Sequence, residues 1–267
     1  MDNLETTVPK TWCPGCPNFG VLAAVKQAVG SLEQEKFLKR KDLVAVTGIG
    51  CHGKIYDYLN LNGFYSLHGR SLSTMLGIKI GNPKLKVVGF MGDGDAYAEG
   101  MAHLIHTCRY NADLTAIIHN NQTFALTTGQ ETPTSDENEF RFNPLSLALE
   151  AGASFVARGY ALDIPHLSDL IKKAVAHRGF SIIEVVQPCL VFQDNAEFFK
   201  EKITKVDQAK SKNEALEIIR SWDYSVSSKD KVPTGLFYQE KKPCFENQWT
   251  NLERKPLTQE RLKSWFA

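Results

Sequence analysis

The sequence lacks an excess of either charge and lacks any long apolar run, and each absence excludes a class of protein. Its 31 Lys and Arg residues against 30 Asp and Glu residues give a net charge of +1 at pH 7, so we expect no nucleic-acid partner. No apolar run approaches the roughly 20 residues of a membrane-spanning helix, so we expect no membrane association. Residues 1–5 also lack the basic and apolar regions of a secretory signal peptide, and we predict a cytoplasmic protein.

The overall composition is ordinary for a globular protein. The chain has 267 residues, of which 43% are hydrophobic and 23% are charged. This length is enough for one large domain, or for a domain with an appendage. We predict a principal domain over residues 1–190 and a C-terminal extension over residues 191–267. The extension is expected to contact a partner, because so short a segment buries little core of its own.

Short apolar runs alternate with segments of helical periodicity along most of the chain. Strands are predicted at about 43–47, 86–91, 114–119, 154–157 and 180–186. Helices are predicted at about 18–30, 71–80, 96–110, 143–151 and 165–178, with one amphipathic helix near 208–221. This alternation favours an α/β fold with a doubly wound, mostly parallel sheet and helices on both faces.

The most informative motif is a Gly-Asp-Gly-Asp sequence at residues 92–95, directly after a predicted buried strand. A helix and a second strand separate it from Asn120-Asn121. Such a strand–helix–strand unit is right-handed and brings both strand ends to one edge of the sheet, where ligands bind. Asp93 and Asn121 would then offer hard oxygen ligands for Mg²⁺ and a bound diphosphate. Because Gly-Asp-Gly is also a common surface turn, this interpretation depends on the other motifs.

A second glycine-rich segment, residues 48–53, fits the G-x-G-x-x-G fingerprint of dinucleotide binding. That fingerprint opens a long helix and is followed about 20 residues later by an acidic residue. Here the helix is expected to end near residue 60, and the only acidic residue between 53 and 93 is Asp57, which comes too early. We therefore do not expect a nicotinamide cofactor at this loop.

The six cysteines would be reduced in the cytoplasm, so they are candidates for ligands or for core residues. Cys13 and Cys16 form a Cys-Pro-Gly-Cys turn. A thioredoxin-like redox pair would follow a core strand, and residues 1–11 contain no plausible one. A zinc site commonly uses two close pairs, and this chain has a single Cys-x-x-Cys. An iron–sulfur cluster takes four thiolates from scattered positions, and Cys51 and Cys189 each follow a predicted strand.

The remaining two cysteines lack such a setting. Cys108 falls in the middle of a predicted helix and Cys244 lies in the C-terminal extension. We expect both to be inert packing or surface residues.

Taken together, the motifs resemble those of the beta subunit of 2-oxoacid:ferredoxin oxidoreductases, the family of the pyruvate and 2-oxoglutarate enzymes. The matching segments run in the family's order: Trp12-Cys13-Pro14-Gly15-Cys16, Gly48-Ile49-Gly50-Cys51, His68-Gly69-Arg70, Gly92-Asp93-Gly94-Asp95, Asn120-Asn121, Gly129-Gln130 with Pro133-Thr134-Ser135, Pro188-Cys189 and residues 232–238. The resemblance therefore covers most of the chain.

This resemblance implies a thiamine diphosphate-binding fold that holds thiamine diphosphate, Mg²⁺ and one [4Fe-4S] cluster. It implies Cys13, Cys16, Cys51 and Cys189 as the cluster ligands. It implies Asp93, Asn121 and the backbone carbonyl of Thr123 as the Mg²⁺ ligands. The implied cofactor-binding residues are Ile49, Gly50, Cys51, His52, His68, Gly92, Asp93, Gly94, Asp95, Asn121, Thr123, Ala125 and Leu126, and His68 is also a candidate catalytic residue.

The function that the resemblance implies is oxidative decarboxylation of a 2-oxoacid to acyl-CoA and carbon dioxide, with electrons passed through the cluster to ferredoxin. No glutamate stands in a recognisable motif for contacting the aminopyrimidine ring of the cofactor. We expect that group to come from an alpha subunit that carries the pyrimidine-binding domain. Thr128 stands where some family members carry a lysine suited to a second substrate carboxylate, which favours pyruvate over 2-oxoglutarate.

Two alternatives stay open. The chain could be a subunit of a non-oxidative thiamine diphosphate-dependent decarboxylase with structural zinc. It could also be a non-catalytic iron–sulfur subunit that transfers electrons.

Overall fold

An eight-stranded sheet forms the centre of the fold in the computed structural model, which describes residues 4–193, 195–226, 229 and 231–248. The strands of the chain are β1 (Leu43–Thr47), β2 (Asn62–Tyr65), β3 (Lys86–Gly92), β4 (Thr115–Asn120), β5 (Thr123–Phe124), β6 (Gln130–Glu131), β7 (Phe155–Tyr160), β8 (Ser181–Val186), β9 (Ile203–Lys205) and β10 (Val232–Gln239). The sheet order is β2-β1-β3-β4-β8-β7-β10-β9, and β5 and β6 form a separate hairpin. All neighbours in the large sheet are parallel except β7 and β10.

Helices cover both faces of this sheet. They are α1 (Asn18–Gln34), α2 (Ile55–Tyr58), α3 (Ser71–Gly81), α4 (Met101–Tyr110), α5 (Pro144–Ala151), α6 (Ile164–Ala176), α7 (Ala196–Lys202) and α8 (Lys212–Arg220). Successive residues of a strand point to opposite faces, and β4 shows the result. Its Ile117 packs in the core beneath α1 and α6, whereas Ala116 and Ile118 pack in the core beneath α3, α4, α5 and α8. Among the described helices, none is long and apolar enough to span a bilayer.

The predicted fold class is confirmed: the sheet is mostly parallel and doubly wound, with helices on both faces. The five predicted strands appear as β1, β3, β4, β7 and β8. The sheet is larger than predicted, because β2, β9 and β10 add to its two edges. The helix predicted over 96–110 is also corrected: Gly94–Glu99 forms a π-helical turn, and the α-helix begins at Met101.

The C-terminal extension contributes directly to the main sheet. Strand β10 pairs antiparallel with β7, and β9 pairs parallel with β10. The amphipathic helix predicted near 208–221 is α8, whose buried face packs on the same core as α5. Residues 249–267 of the predicted extension lie outside the described residues. That the extension also contacts a partner stays a prediction.

The strand order creates a binding crevice at the carboxyl ends of β1 and β3. From β1 the chain moves outward to β2, and from β3 it moves in the opposite direction to β4. The connections that leave the two neighbouring strands therefore diverge, which opens a crevice between them. The loop after β1 begins at Gly48, and the turn after β3 begins with Asp93.

Candidate cofactor site

A cleft of about 430 Å³ opens at this crevice. Loops that follow β1, β3 and β4 form its walls, together with the segment before α3. The residues that line it are Ile49, Gly50, Cys51, His52, His68, Gly92, Asp93, Gly94, Asp95, Asn121, Thr123, Phe124, Ala125, Leu126 and Thr127. All the cofactor-binding residues predicted from the sequence are among them, so the fold brings these positions together from four separate segments.

Asp93 lies at the bottom of the cleft, in the turn that ends β3. Its carboxylate is 2% exposed, and Oδ2 accepts hydrogen bonds from the hydroxyls of Thr132 and Thr134 at 2.5 and 3.0 Å. Burial raises the pKa of Asp93 to about 6, although the two threonine hydroxyls work in the opposite direction. A divalent cation beside a carboxylate favours its charged form, and the cleft has the hard oxygen donors that Mg²⁺ requires.

The Asn120-Asn121 pair at the end of β4 divides its side chains between the protein interior and the cleft. Asn120 is 3% exposed; its Oδ1 accepts from Thr134 Oγ1 at 3.0 Å, and its Nδ2 donates to Glu184 at 3.1 Å. Asn121 lines the cleft, and its Oδ1 accepts from the backbone N–H of Thr123 at 3.1 Å. Asn120 therefore braces the strand end structurally, whereas Asn121 is positioned to contact a ligand.

Asp95 organises the opposite wall of the cleft. Its Oδ1 accepts from the backbone N–H of Gly69 at 2.6 Å and lies 4.0 Å from Nδ1 of His68. Its Oδ2 lies 3.6 Å from Nε2 of His52, and neither of these two buried atoms has a hydrogen-bond partner. Buried polar atoms normally have a hydrogen-bond partner. The lack of one at both His52 Nε2 and Asp95 Oδ2 therefore indicates that the cleft binds a polar ligand.

Glycines in the loops of the cleft leave room for neighbouring side chains to pack against the backbone. A Cβ atom on Gly92 would lie 2.8 Å from Nδ1 of His52, and one on Gly94 would overlap the ring of Phe124. Gly50 has φ +148°, a conformation that other residues rarely adopt. Gly92 and Gly94 therefore let His52 and Phe124 pack directly against the backbone of these loops, and the predicted approach of a diphosphate stays a prediction.

A second cavity, of about 690 Å³, adjoins the cleft. It is lined by the four cysteines that the resemblance implies as cluster ligands: Cys13, Cys16, Cys51 and Cys189. Cys13 is exposed and the other three are partly buried. The two cavities share four lining residues, Cys51, Asn121, Ala125 and Leu126. Within the described residues, no three His, Cys, Asp or Glu side chains converge closely enough to hold a single metal ion.

The local setting of these thiols differs along the cavity wall. Burial raises the pKa of Cys16, while the backbone N–H of Asn18 acts against it. Burial also raises the pKa of Cys51, and the charge of Lys54 acts against it. The indole N–H of Trp12 donates to the carbonyl of Cys51 at 2.6 Å, which fixes the loop after β1 against the Cys-Pro-Gly-Cys turn.

Sequence reasoning missed several residues that support the site. Thr132 and its hydrogen bond to Asp93 were not foreseen, although a polar loop as long as residues 122–143 usually signals function. His119 carries no motif signal in the sequence, yet it is 1% exposed and hydrogen-bonded to Asn18. Cys108 and Cys244 are buried at 0% and 3% exposure, as expected for packing residues.

Comparison with known families agrees with this geometry. The model of the C-terminal TPP-binding domain of thiamine pyrophosphate enzymes matches residues 48–185, which include the whole Gly-Asp-Gly to Asn-Asn unit. The model of the C-terminal part of the pyruvate ferredoxin oxidoreductase beta subunit matches residues 189–254. The chain therefore contains a thiamine pyrophosphate-binding domain followed by the family's C-terminal segment.

Individual relatives extend the similarity over nearly the whole chain. The 2-oxoacid:ferredoxin oxidoreductase subunit beta of Saccharolobus solfataricus is 39% identical over 251 residues, covering 85% of this chain and 81% of the relative. The 2-oxoglutarate synthase subunit KorB of Archaeoglobus fulgidus is 39% identical over 246 residues, with coverage of 86% and 88%.

Among solved structures, the 2-oxoglutarate:ferredoxin oxidoreductase from Magnetococcus marinus, with 2-oxoglutarate, coenzyme A and succinyl-CoA bound, superposes with a TM-score of 0.84. It is 29% identical, and the match covers 92% of this chain and 87% of that one. Sequence motifs, site geometry and these similarities lead to one conclusion: the chain belongs to the family of 2-oxoacid:ferredoxin oxidoreductase beta subunits, and its activity is that of an oxidoreductase complex.

Proposed function

We propose that this chain provides the half-site for thiamine diphosphate, Mg²⁺ and one [4Fe-4S] cluster in a cytoplasmic enzyme that oxidatively decarboxylates a 2-oxoacid. The observation that carries the proposal is the shared wall between the cleft and the cysteine cavity, formed by Cys51, Asn121, Ala125 and Leu126. A group bound in the cleft would be separated from a group in the second cavity by only this wall. Short separation is what electron transfer from cofactor to cluster requires.

In this proposal Asp93, Asn121 and the backbone carbonyl of Thr123 hold Mg²⁺, and the glycine-lined floor accepts the diphosphate. The threonine hydroxyls at Asp93 fix the orientation of its carboxylate before the metal binds. Thiamine diphosphate, when bound, supplies the carbanion-stabilising chemistry that decarboxylation needs. The protein's contribution is to hold, orient and shield the reacting groups.

We further propose that Cys13, Cys16, Cys51 and Cys189 hold the cluster. The four cysteines line one cavity together, whereas Zn²⁺ would need its four ligands arranged tetrahedrally with Zn–S distances of about 2.3 Å. A cluster bound by four cysteines occupies a larger space and accepts one electron at a time. Zinc in this cavity, with no sulfide, would instead support the non-oxidative alternative.

The described part of the chain leaves the cleft without one expected group. No glutamate is among the residues that line it. We therefore propose that an alpha subunit supplies the pyrimidine-binding domain and its carboxylate, and that residues 191–267 contribute to contacts with that partner. Coenzyme A is proposed as the acyl acceptor and ferredoxin as the electron acceptor. The chain alone would then fail to turn over any 2-oxoacid.

His68 is the proposed catalytic residue of this half-site. It lines the cleft with its side chain 34% exposed, and its ring lies beside that of Phe124 with 6.0 Å between centroids. Its Nδ1 lies 4.0 Å from Oδ1 of Asp95. Replacing His68 by glutamine should reduce kcat of the assembled enzyme by roughly 10²- to 10⁴-fold, a range typical for loss of a proton-transfer group. An unchanged kcat would remove His68 from this role.

Pyruvate is the proposed substrate, because Thr128 offers no positive charge for a second carboxylate. A second candidate, 2-oxoglutarate, is favoured by the relatives named KorB and by the ligand of the Magnetococcus marinus structure. The test is to co-express the chain with its alpha subunit and measure coenzyme A-dependent ferredoxin reduction with each acid. A higher kcat/KM for pyruvate supports the first candidate, and the reverse order supports the second.

A further inference from the structure

The cysteine cavity contains two buried amides among its largely apolar lining. Asn18 is 1% exposed and Gln187 is 2% exposed, and both line the cavity with the four cysteines. A buried amide costs free energy unless its donors and acceptors are satisfied, so two such groups at one wall require an explanation.

Asn18 is held by one hydrogen bond and leaves its amide donor unused. Its Oδ1 lies 2.7 Å from Nδ1 of the fully buried His119, which donates to it. Its Nδ2 is buried and has no hydrogen-bond partner. The oxygen of the Asn18 amide is therefore held by His119, while the two N–H groups of its nitrogen remain available to a ligand.

The surroundings of Cys16 add further donors at the same place. Asn18 is the first residue of the 17-residue helix α1, so the positive end of the helix dipole lies beside Cys16. The backbone N–H of Asn18 interacts with the Cys16 thiol. In addition, Nε2 of Gln187 lies 4.0 Å from Cys16 Sγ and donates to the carbonyl of Pro188 at 3.2 Å.

The N–H donors and the N-terminus of α1 would stabilise a negatively charged sulfur centre in the cavity, whereas uncharged apolar side chains would gain nothing from them. N–H donors and positive partial charge around cluster sulfurs stabilise the more negative, reduced state and thereby raise the reduction potential. An aliphatic residue at position 18 would fill the same space without this effect. If the cavity remained empty, the buried amide donor of Asn18 would lack a hydrogen-bond partner, which would destabilise the fold.

We propose that Asn18 donates an N–H hydrogen bond to a sulfur of the cluster and thereby sets the cluster's reduction potential, with His119 as the residue that positions the amide. This inference rests on the proposed function, because it requires the cluster. The step that Asn18 modulates is uptake by the cluster of one electron that oxidation of the 2-oxoacid supplies, with no proton transferred to the cluster and no bond of the cluster broken. Asn18 is a positioning and tuning residue, and Cys13, Cys16, Cys51 and Cys189 remain the ligands.

The same contact connects the cluster to the cofactor cleft. His119 directly precedes Asn120-Asn121 at the end of β4, and its ring lies 5.9 Å from that of His52, which lines the cleft. The Asn18 amide is therefore anchored, through His119, on the strand that carries the proposed Mg²⁺ ligand Asn121. A change in the cleft that moves this strand end would also move the donor.

The experiment is a potentiometric titration of the assembled enzyme, purified without oxygen and followed by EPR of the reduced cluster. Asn18→Leu should bind iron and sulfide as the wild type does but shift the midpoint potential to more negative values. We expect roughly a tenfold change in the reduction equilibrium, which is 59 mV for one electron. His119→Leu should shift the potential in the same direction by less. The matched control is Asn82→Leu, at an exposed loop far along the chain, which should leave the potential unchanged.

A second variant keeps the test decisive if Asn18→Leu fails to fold. Asn18→Asp keeps the shape of the side chain but replaces the donor by a carboxylate, and should lower the potential further than leucine. A normal cluster with an unchanged midpoint in Asn18→Leu or Asn18→Asp overturns the inference and leaves the proposed function intact. Folded variants that lose iron would show a role in cluster binding and would also overturn it. A wild-type enzyme without iron and sulfide would contradict the proposed function itself.

Discussion

Arg158 and Glu184 form an ion pair inside the sheet: Arg158 Nε donates to Glu184 Oε1 at 2.8 Å, and both side chains are 0% exposed. Tyr97 and Tyr224 donate their hydroxyls to the same carboxylate, and Asn120 donates its amide. Because the single hydroxyl proton of Thr134 is shared between Asn120 Oδ1 and Asp93 Oδ2, each 3.0 Å away, the ion pair is connected to the floor of the cleft. Tyr224 belongs to the C-terminal extension, so the extension helps to assemble the site.

Replacing Arg158 by methionine should lower the free energy of unfolding by about 3–5 kcal/mol, because the Glu184 carboxylate would remain buried without its counter-charge. Denaturant unfolding of the purified chain measures this loss. The control is Lys173→Met, which breaks an exposed ion pair with Asp169 (side chains 53% and 52% exposed). That control should cost no more than about 1 kcal/mol. Equal losses of unfolding free energy in the two variants would show that the buried ion pair stabilises the fold no more than the exposed one.

Replacing Thr132 or Thr134 by valine should weaken Mg²⁺ binding without removing a ligand. Each substitution deletes a hydroxyl that holds Asp93 Oδ2, and loss of such an orienting contact typically costs 10–100-fold in metal affinity. The measurement is Mg²⁺-dependent binding of thiamine diphosphate to the assembled enzyme, by calorimetry. Thr204→Val, in β9 and outside the cleft, is the control. Unchanged Mg²⁺ dependence in both cleft variants would contradict the proposed metal site.

Asp113 should give the fold a measurable dependence on pH. Burial raises the pKa of its carboxyl, but Lys86 and Lys79, at 2.9 and 2.8 Å, outweigh burial and hold the pKa below its usual value of 3.8. A depressed folded pKa means that this stabilisation is complete above the unfolded pKa and is lost as pH falls through the folded pKa.

The corresponding measurement is the free energy of unfolding against pH for the wild type and for Asp113→Asn. The difference between them should be constant above about pH 5 and should shrink as the solution becomes more acidic than pH 4. Asp207→Asn, at an exposed position, is the control and should show a small and flat difference. A wild-type advantage that grows on acidification would refute the assignment.

Thr128→Lys tests whether the loop that contains Thr127 and Thr128 selects the substrate. Thr128 has φ +80° and precedes Gly129, in a loop whose neighbour Thr127 lines the cleft. A lysine there would add a positive charge for a second carboxylate, so kcat/KM for 2-oxoglutarate should rise relative to pyruvate. Thr128→Met, which adds length without charge, is the control. If both variants keep the wild-type ratio, position 128 has no role in selectivity.

The central strands of the fold could be predicted from the sequence, because buried parallel strands consist of nearly continuous runs of apolar residues. Strand β1 was predicted at 43–47 and is found at Leu43–Thr47. Strand β10 was not predicted, since Pro233 and Gly235 disfavour a strand locally and it is stabilised by pairing with β7 and β9. The exposed edge strand β2 has no apolar alternation to reveal it.

The candidate site was predictable where motifs carried it and unpredictable where only tertiary contacts did. Asp93 and Asn121 follow strands, so topology brings them together. The hydrogen bond between Asn18 and His119 joins residues that are 101 positions apart. Neither hydrophobic periodicity nor motif spacing can predict a contact between two such distant residues. The π-helical turn at Gly94–Glu99 likewise depends on packing around Asp95 rather than on helix propensity.

The central claim is that this chain carries a redox cluster beside its thiamine diphosphate cleft. It is tested most directly by measuring iron, acid-labile sulfide and zinc per chain after purification without oxygen. We predict about four irons and four sulfides per chain, as one four-cysteine cluster requires, and no zinc. Zinc without sulfide would contradict the claim, because the electrons of the decarboxylation would then have no acceptor on this chain.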